Sequence, residues 1–227
     1  MAPSKESDFL RALYQDWSKR MAADPNLSIA NLRSMFDEWS QPTLEPENVC
    51  YKSDRLDGVE AIWALPTDAD RSRAIVYTHG GGFAVGSADS HRKLAGHLAK
   101  ALGVTAVLLH YRRAPEHPFP AQIEDAVAAY KALLDKGYDA RKLSTAGDSA
   151  GGNLAIASVL KMRDLGLPLL AMIETPAAIY AARDIAADPA VSGLIAGLND
   201  LAHELKLPDG MDRGAMSHAI QAIVLAA

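Results

Sequence analysis

The 227-residue sequence has very little cysteine and no long apolar run. Cys50 is its single cysteine, so no intrachain disulfide can form and the fold requires no oxidising compartment. The first residues contain no apolar signal core, and no stretch approaches the roughly 20 apolar residues of a membrane-spanning helix. These absences favour a cytoplasmic protein without a membrane span.

An excess of basic charge is also missing. Lysine and arginine number 23 against 28 aspartates and glutamates, which gives a formal net charge of −5. A weakly acidic surface gains nothing from a phosphate backbone or an anionic membrane, so neither partner is expected. The 49% hydrophobic and 22% charged content is that of an ordinary globular protein.

Apolar periodicity separates a helical N-terminal segment from a series of alternating strands and helices. An apolar residue recurs every four positions near the N-terminus, which predicts a helical cap over residues 1–40. This stripe consists of Phe9, Leu13, Trp17 and Met21. A β-hairpin around Asp57-Gly58 follows, and strands then alternate with helices of ten to sixteen residues. The pattern predicts an α/β fold with a mostly parallel, doubly wound sheet.

The strongest motif is Gly147-Asp148-Ser149-Ala150-Gly151, a G-x-S-x-G between the predicted strand Lys142–Ala146 and the predicted helix Ala150–Leu165. A nucleophile at a tight strand-to-helix turn has a strained backbone, so it needs small neighbours on both sides. The N-terminus of the helix places a positive dipole near a developing anion. The alternative interpretation is an ordinary glycine-rich turn.

A second motif, His79-Gly80-Gly81-Gly82-Phe83, follows another predicted strand. Consecutive glycines let backbone N–H groups point into a cavity, and the oxyanion of an acyl transfer needs two or three such donors. A phosphate-binding loop is the alternative, but G-x-x-x-x-G-K-[ST] is absent. Val85 also stands where G-x-G-x-x-G requires its last glycine. No cofactor is therefore expected.

Together with the segment Tyr111–Ala121, which reads YRRAPEHPFPA, these motifs resemble the hormone-sensitive-lipase-like family of α/β-hydrolases. The resemblance extends over about residues 5–168 and is greatest to the branch of bacterial esterases and ε-lactone hydrolases. It implies serine-dependent hydrolysis of short-chain esters or lactones through an acyl-enzyme. The expected partner is thus a small-molecule ester or lactone.

The same resemblance assigns roles to individual residues. Ser149 would be the nucleophile, and Gly81, Gly82 and Ala150 would supply the oxyanion N–H groups. Residues 1–40 would be the cap that shapes the acyl pocket. Residues 41–168 would form the hydrolase core.

A nucleophilic serine also needs a base, and the base needs an orienting acid. In this fold both follow the serine in the chain, yet the family's D-P-L-type and H-G-F-type motifs are not found after Ser149. The remaining candidates are Asp200 as the acid and His203 or His218 as the base. The alternative interpretation is a carboxylate at a helix N-terminus and two exposed helix histidines. Turnover is therefore expected to be weak.

Residues 169–227 resemble a different family, the HpcH/HpaI aldolases and citrate lyase β-subunits. The resemblance is carried by the segments Leu170–Pro176, Ile185–Ala187 and Gly197–Ala202. In that family two carboxylates at strand ends bind a metal, and Glu174 and Asp200 match their positions. Two carboxylates with water and substrate suit Mg²⁺. A metal-dependent carbon–carbon lyase or aldolase fragment is therefore one alternative function, and a non-catalytic hydrolase-like protein is another.

The two resemblances predict a chimera joined near Leu167–Leu170, in which the C-terminal part of the hydrolase is incomplete or replaced. Both families place a parallel strand at this point, so the tail, residues 169–227, is expected to pack on the same sheet.

Overall fold

Strands and helices alternate between residues 70 and 164, after a hairpin, as the sequence pattern predicts. The computed structural model describes residues 5–167, 169–173, 175–189, 191–196, 204–206 and 217–226. It divides into two units, Met1–Ser158 and Val159–Ala227. The division falls within a helix, whereas the join inferred from the motifs lies near Leu167–Leu170.

The elements up to residue 164 are, in chain order, α1 Lys5–Ala23, α2 Ile29–Asp37, a 3-10 turn Glu38–Ser40, β1 Val49–Leu56, β2 Val59–Pro66, β3 Asp70–Thr78, α3 Ala88–Leu102, β4 Val104–Leu109, α4 Ala121–Asp135, a 3-10 turn Ala140–Lys142, β5 Leu143–Gly147 and α5 Ala150–Asp164.

Five strands form a mixed sheet in the order β1-β2-β4-β3-β5. The hairpin of β1 and β2 is antiparallel, and both turn residues have positive φ, Asp57 at 47° and Gly58 at 84°. Such a turn matches the twist of a two-residue hairpin. Strands β4, β3 and β5 are parallel, and all six residues of β4 are buried. A strand that is apolar throughout is the expected centre of such a sheet.

Helix α3 packs closely on the sheet because its buried face is made of small residues. Ala88, Ala95 and Ala99 are fully buried in one cluster with Tyr77 and Leu108. The helix begins after Ser87, whose side chain accepts a hydrogen bond from the N–H of Ser90. It ends at Gly103, which has a φ of 64°, as the sequence predicts.

Parallel register brings the ends of β3 and β5 together. Thr78 at the end of β3 pairs with Gly147 at the end of β5. The loops that follow these two strands carry the two glycine motifs, so both motifs lie at the same edge of the sheet.

The predicted cap contains a small apolar cluster of its own. Leu13, Trp17 and Met35 are buried there. Only the middle of the predicted stripe is covered, because Phe9 and Met21 are 48% and 39% exposed. Within the cap, α1 therefore contributes one turn to the apolar cluster, and both ends of the stripe remain in contact with solvent.

The second unit contains short elements. They are β6 Leu169–Ile173, α6 Pro176–Tyr180, α7 Ala182–Ala186, β7 Val191–Ala196 and α8 Ser217–Ala226. The sequence pattern predicts one helix over Ala177–Ala187, but the structure divides it at Ala181. Among the described residues, no helix is both long and apolar enough to cross a membrane.

Strand β6 pairs in parallel with β7 in a separate two-stranded sheet. The expectation that Leu169–Ile173 joins the main sheet is therefore not met by the hydrogen bonding of the described residues. The separate pairing of β6 with β7 has a local cause, because β6, the helices α6 and α7, and β7 form a complete βαβ unit. Such a unit supplies its own parallel neighbour.

Candidate active site

Ser149 occupies a strained turn between β5 and α5. Its φ is 50°, a left-handed value that is rare for residues other than glycine, and its side chain is exposed. A Cβ at Gly147 would lie 2.5 Å from the carbonyl oxygen of Thr78, and a Cβ at Gly151 only 2.0 Å from it. Both flanking positions therefore require glycine, as the motif predicts.

The loop of residues 79–87, called the glycine loop below, has an unusual backbone conformation at three successive residues. Gly81 and Gly82 have φ values of 116° and 60°, and Phe83 has 62°. The carbonyl of Gly81 accepts hydrogen bonds from Ala84 and Val85, which closes a tight turn. Within the described part of the chain, the N–H groups of Gly81 and Gly82 donate to no protein acceptor.

The N–H of Ala150 is a third donor for which the described residues show no acceptor. Ala150 is the first residue of α5, so its N–H lies outside the helical hydrogen-bond ladder. All three residues follow the paired ends of β3 and β5, at the edge of the sheet where Ser149 is exposed.

Asp148, the residue before Ser149, links the two motifs. Its Oδ1 accepts hydrogen bonds from the Tyr77 hydroxyl and from the N–H of Gly80, each at 3.0 Å. The Nε2 of His91 lies 3.4 Å from the same oxygen. Burial works to raise the pKa of Asp148, but the hydrogen bond and charge of His91, with the two other donors, lower it overall. The carboxylate is therefore charged at neutral pH.

His79 is structural. It is 2% exposed, its Nδ1 lies 2.7 Å from the carbonyl oxygen of Gly80, and its ring stacks on Tyr111 at 4.3 Å. Burial lowers the pKa of His79 to about 3, so its ring is neutral at physiological pH. The Tyr111 hydroxyl donates to the carbonyl oxygen of His79 at 2.7 Å, which holds the start of the glycine loop in place.

A cavity of about 370 Å³ adjoins Asp148 between the cap and α3. Leu10, Trp39 and Leu94 form much of its apolar lining, while His91 and Asp148 contribute polar groups. Asp148 is thus the residue of the strand-to-helix turn that lines this cavity.

Sequence reasoning missed the contacts of Asp148 and His91. Asp148 was visible only as the second letter of the G-x-S-x-G motif, and no local pattern distinguishes His91. Tertiary packing alone reveals that they meet.

The predicted acid and base lie largely outside the described residues. This holds for Asp200 and His203, and also for Glu174, the other predicted metal ligand. His218 is described and is exposed on α8. Among the described residues, no group of three or more His, Cys, Asp or Glu side chains is arranged to hold a metal ion.

Known proteins are similar to this chain in both sequence and fold. The alpha/beta hydrolase fold family matches residues 75–209, more than half of the chain. The chain is 50% identical over 109 residues to an acetyl-hydrolase of Streptomyces hygroscopicus, which covers 48% of this chain and 36% of that protein. It is 41% identical over 110 residues to an ethyl acetate hydrolase of Pseudomonas putida, which covers 45% and 35% respectively.

A solved structure extends the similarity over most of the chain. The crystal structure of an esterase from the bacterial hormone-sensitive lipase (HSL) family superimposes with a TM-score of 0.68 at 29% identity. The superposition covers 95% of this chain and 73% of that one. By contrast, the chain spans only about a third to a half of the length of the curated relatives it matches. Motifs, sheet order and family match agree, and the chain belongs to the alpha/beta hydrolase fold family.

Proposed function

We propose that this chain hydrolyses carboxylic esters, of the short-chain or lactone class, through an acyl-enzyme on Ser149. The observation that carries the proposal is the left-handed backbone of an exposed Ser149, at a turn whose flanking glycines touch the strand that leads into the glycine loop. Relatives named acetyl-hydrolase and ethyl acetate hydrolase support the same class of reaction.

In this proposal Oγ of Ser149 attacks the acyl carbonyl carbon, and the bond to the alcohol oxygen breaks. The alcohol leaves with the serine proton, and water then hydrolyses the acyl-enzyme. The N–H groups of Gly81, Gly82 and Ala150 would stabilise the oxyanion in both steps. The dipole of α5 adds positive potential at the same place, because Ser149 directly precedes that helix.

The cavity next to Asp148 would receive the acyl group. Its volume of about 370 Å³ lies at the lower end of the range for small-molecule sites. Apolar walls from Leu10, Trp39 and Leu94 suit a short alkyl chain. We therefore expect rates on p-nitrophenyl esters to fall as the acyl chain lengthens beyond about four carbons.

Ser149 needs a base to take its proton. Asp200 with His203 or His218 is the recruited acid and base we would test, and without such a pair only a small residual rate over water is expected. Joint substitution of His203 and His218 by alanine decides the matter, since unchanged hydrolysis would remove both from the mechanism.

Hydrolysis of p-nitrophenyl acetate by the wild type and by Ser149→Ala tests the proposal. Ser149→Ala should reduce the rate to that of the uncatalysed reaction. Ser144→Ala is the matched control, because Ser144 is an exposed serine on the same strand β5, and it should keep the wild-type rate. Equal rates for wild type and Ser149→Ala would refute a serine nucleophile at this position.

Two other functions were open from the sequence. A lyase or aldolase would bind Mg²⁺ through Glu174 and Asp200, and a non-catalytic hydrolase-like protein would use neither site. The relatives favour neither alternative, since their names are those of ester hydrolases.

A further inference from the structure

We propose that Asp148 is a positioning residue that fixes the distance between the nucleophile and the oxyanion donors, with His91 as a further contact of its carboxylate. The inference rests on the proposed esterase function. It concerns a residue that would not touch the substrate's reacting atoms but would act through its neighbours on both sides.

A single oxygen atom joins three segments of the fold. Oδ1 of Asp148 accepts from the Tyr77 hydroxyl on β3 and from the N–H of Gly80 in the glycine loop, both at 3.0 Å. His91 on α3 approaches the same oxygen at 3.4 Å. Hydrogen bonds to a charged acceptor are roughly twice as strong as those between neutral groups.

The main chain of Asp148 is equally constrained. Its carbonyl oxygen accepts from the N–H of Gly151 at 2.8 Å and of Gly152 at 3.2 Å, in the first turn of α5. The side chain thus holds Gly80 while the backbone holds α5. Ser149 follows Asp148 directly, and Gly81 follows Gly80 directly. The separation of nucleophile and oxyanion donor is therefore set largely by this one residue.

Gly80 shows how close the contact is. A Cβ at this position would lie 2.2 Å from Oδ2 of Asp148, so a larger residue here would displace the carboxylate. Catalysis tolerates displacements of only about 0.5 Å between such groups. A close contact backed by two hydrogen bonds is suited to that tolerance.

His91 is the third contact of this carboxylate oxygen. It is 5% exposed, and its ring lies between Trp39 at 5.4 Å and His79 at 5.6 Å. Its Nδ1 lies 3.1 Å from the carbonyl oxygen of Ser87 and 2.9 Å from Oγ of Ser90. Because these contacts fix the ring, Nε2 stays directed at Asp148.

Two substitutions separate hydrogen bonding from simple structural support. Asp148→Ala removes the acceptor, and we expect kcat to fall by about 100-fold or more with KM changed less than about threefold, as for the loss of an oxyanion donor. Asp148→Asn keeps an acceptor oxygen for Gly80 and Tyr77 but loses the charge. The kcat of Asp148→Asn should therefore be at least about tenfold higher than that of Asp148→Ala. Asp139→Ala is the control, since Asp139 is a carboxylate in the turn before β5 that binds Arg141, and it should retain the wild-type kcat.

Amide hydrogen exchange in residues 80–83 gives a readout that does not depend on turnover. Asp148→Ala should accelerate exchange there, and Asp139→Ala should not. The proposal is overturned if kcat of Asp148→Ala matches that of Asp139→Ala, if alanine and asparagine at position 148 are equally impaired, or if exchange in the loop is unchanged. Absence of ester turnover in the wild type would instead contradict the proposed function, while the exchange measurement would still test the positioning role.

Discussion

The two units of the chain use their polar residues in different ways. In Met1–Ser158, His79 and His91 are buried with partners on several elements, and Asp148 gathers three donors beside Ser149. In Val159–Ala227, the described histidine His218 is exposed on α8. Desolvated, fixed polar groups can do chemistry that exposed ones cannot. The comparison places the proposed chemistry in the first unit and leaves the tail as a candidate source of a base.

The largest expected loss of activity and stability comes from adding a Cβ atom where β3 and the turn at Ser149 touch. In Gly151→Ala the new Cβ would lie 2.0 Å from the carbonyl oxygen of Thr78 and 2.5 Å from that of His79. Because both neighbours are backbone atoms, the turn must move. We expect ester hydrolysis to be lost and the free energy of unfolding to fall by about 3 kcal/mol or more.

The neighbouring glycine provides the control. A Cβ at Gly152 would lie 3.1 Å from the carbonyl oxygen of Gly147, a tight contact but not an overlap. Alanine is favoured over glycine inside a helix by up to about 1 kcal/mol, which offsets that contact. Gly152→Ala should therefore unfold at nearly the wild-type denaturant concentration, and a loss as large as that of Gly151→Ala would contradict the steric explanation.

A smaller effect is expected where the cap meets the glycine loop. Arg33 donates to the carbonyl oxygens of Ala84 and Ala114, and it binds both carboxylate oxygens of Glu116. The hydrogen bond from Arg33 lowers the pKa of Glu116 from an ordinary value of 4.5 to about 2. The folded protein thus holds this proton more weakly than the unfolded chain. The stabilisation is present above about pH 4.5 and is lost as the pH falls towards about 2.

Melting temperatures measured from pH 7 to pH 2 test that sign. Glu116→Gln should melt below the wild type near neutral pH, and the two curves should converge towards pH 2. Glu47→Gln, at an exposed position, should follow the wild type throughout. A gap that widened at low pH would show that the ion pair has the opposite linkage.

The smallest effects are expected in the tail and on metal removal. His218 is exposed, so His218→Ala should change the rate of ester hydrolysis by less than about twofold. A serine mechanism needs no metal, so treatment with EDTA should leave the rate unchanged as well. A large loss in the variant would identify His218 as the base, and a loss on chelation would revive the Mg²⁺ alternative at Glu174 and Asp200.

The sequence predicts those parts of the site that depend on local backbone geometry. The need for Gly147 and Gly151 can be predicted because only glycine fits beside the Thr78 carbonyl. The need for Gly103 can be predicted because it ends a helix in a left-handed conformation. The hairpin at Asp57-Gly58 is confirmed for the same kind of reason. In each case the residue type follows from its own φ or from a close approach of backbone atoms.

What the sequence does not predict depends on register between distant segments. The approach of His91 to Asp148 joins residues 57 positions apart and follows from how α3 packs on β2 and β4. The sequence likewise gives no signal for the division of the helix at Ala181, since Ala177–Ala187 contains neither proline nor glycine. The roles of Ser149, Gly81, Gly82 and Ala150 remain predictions that activity measurements must test.

Labelling by a fluorophosphonate probe tests the central claim most directly, because the probe reacts covalently with an activated serine. Mass spectrometry of the digested wild-type protein should find the adduct on Ser149, and Ser149→Ala should take up none. An unlabelled wild type, or an adduct on another residue with Ser149 unmodified, would contradict the account.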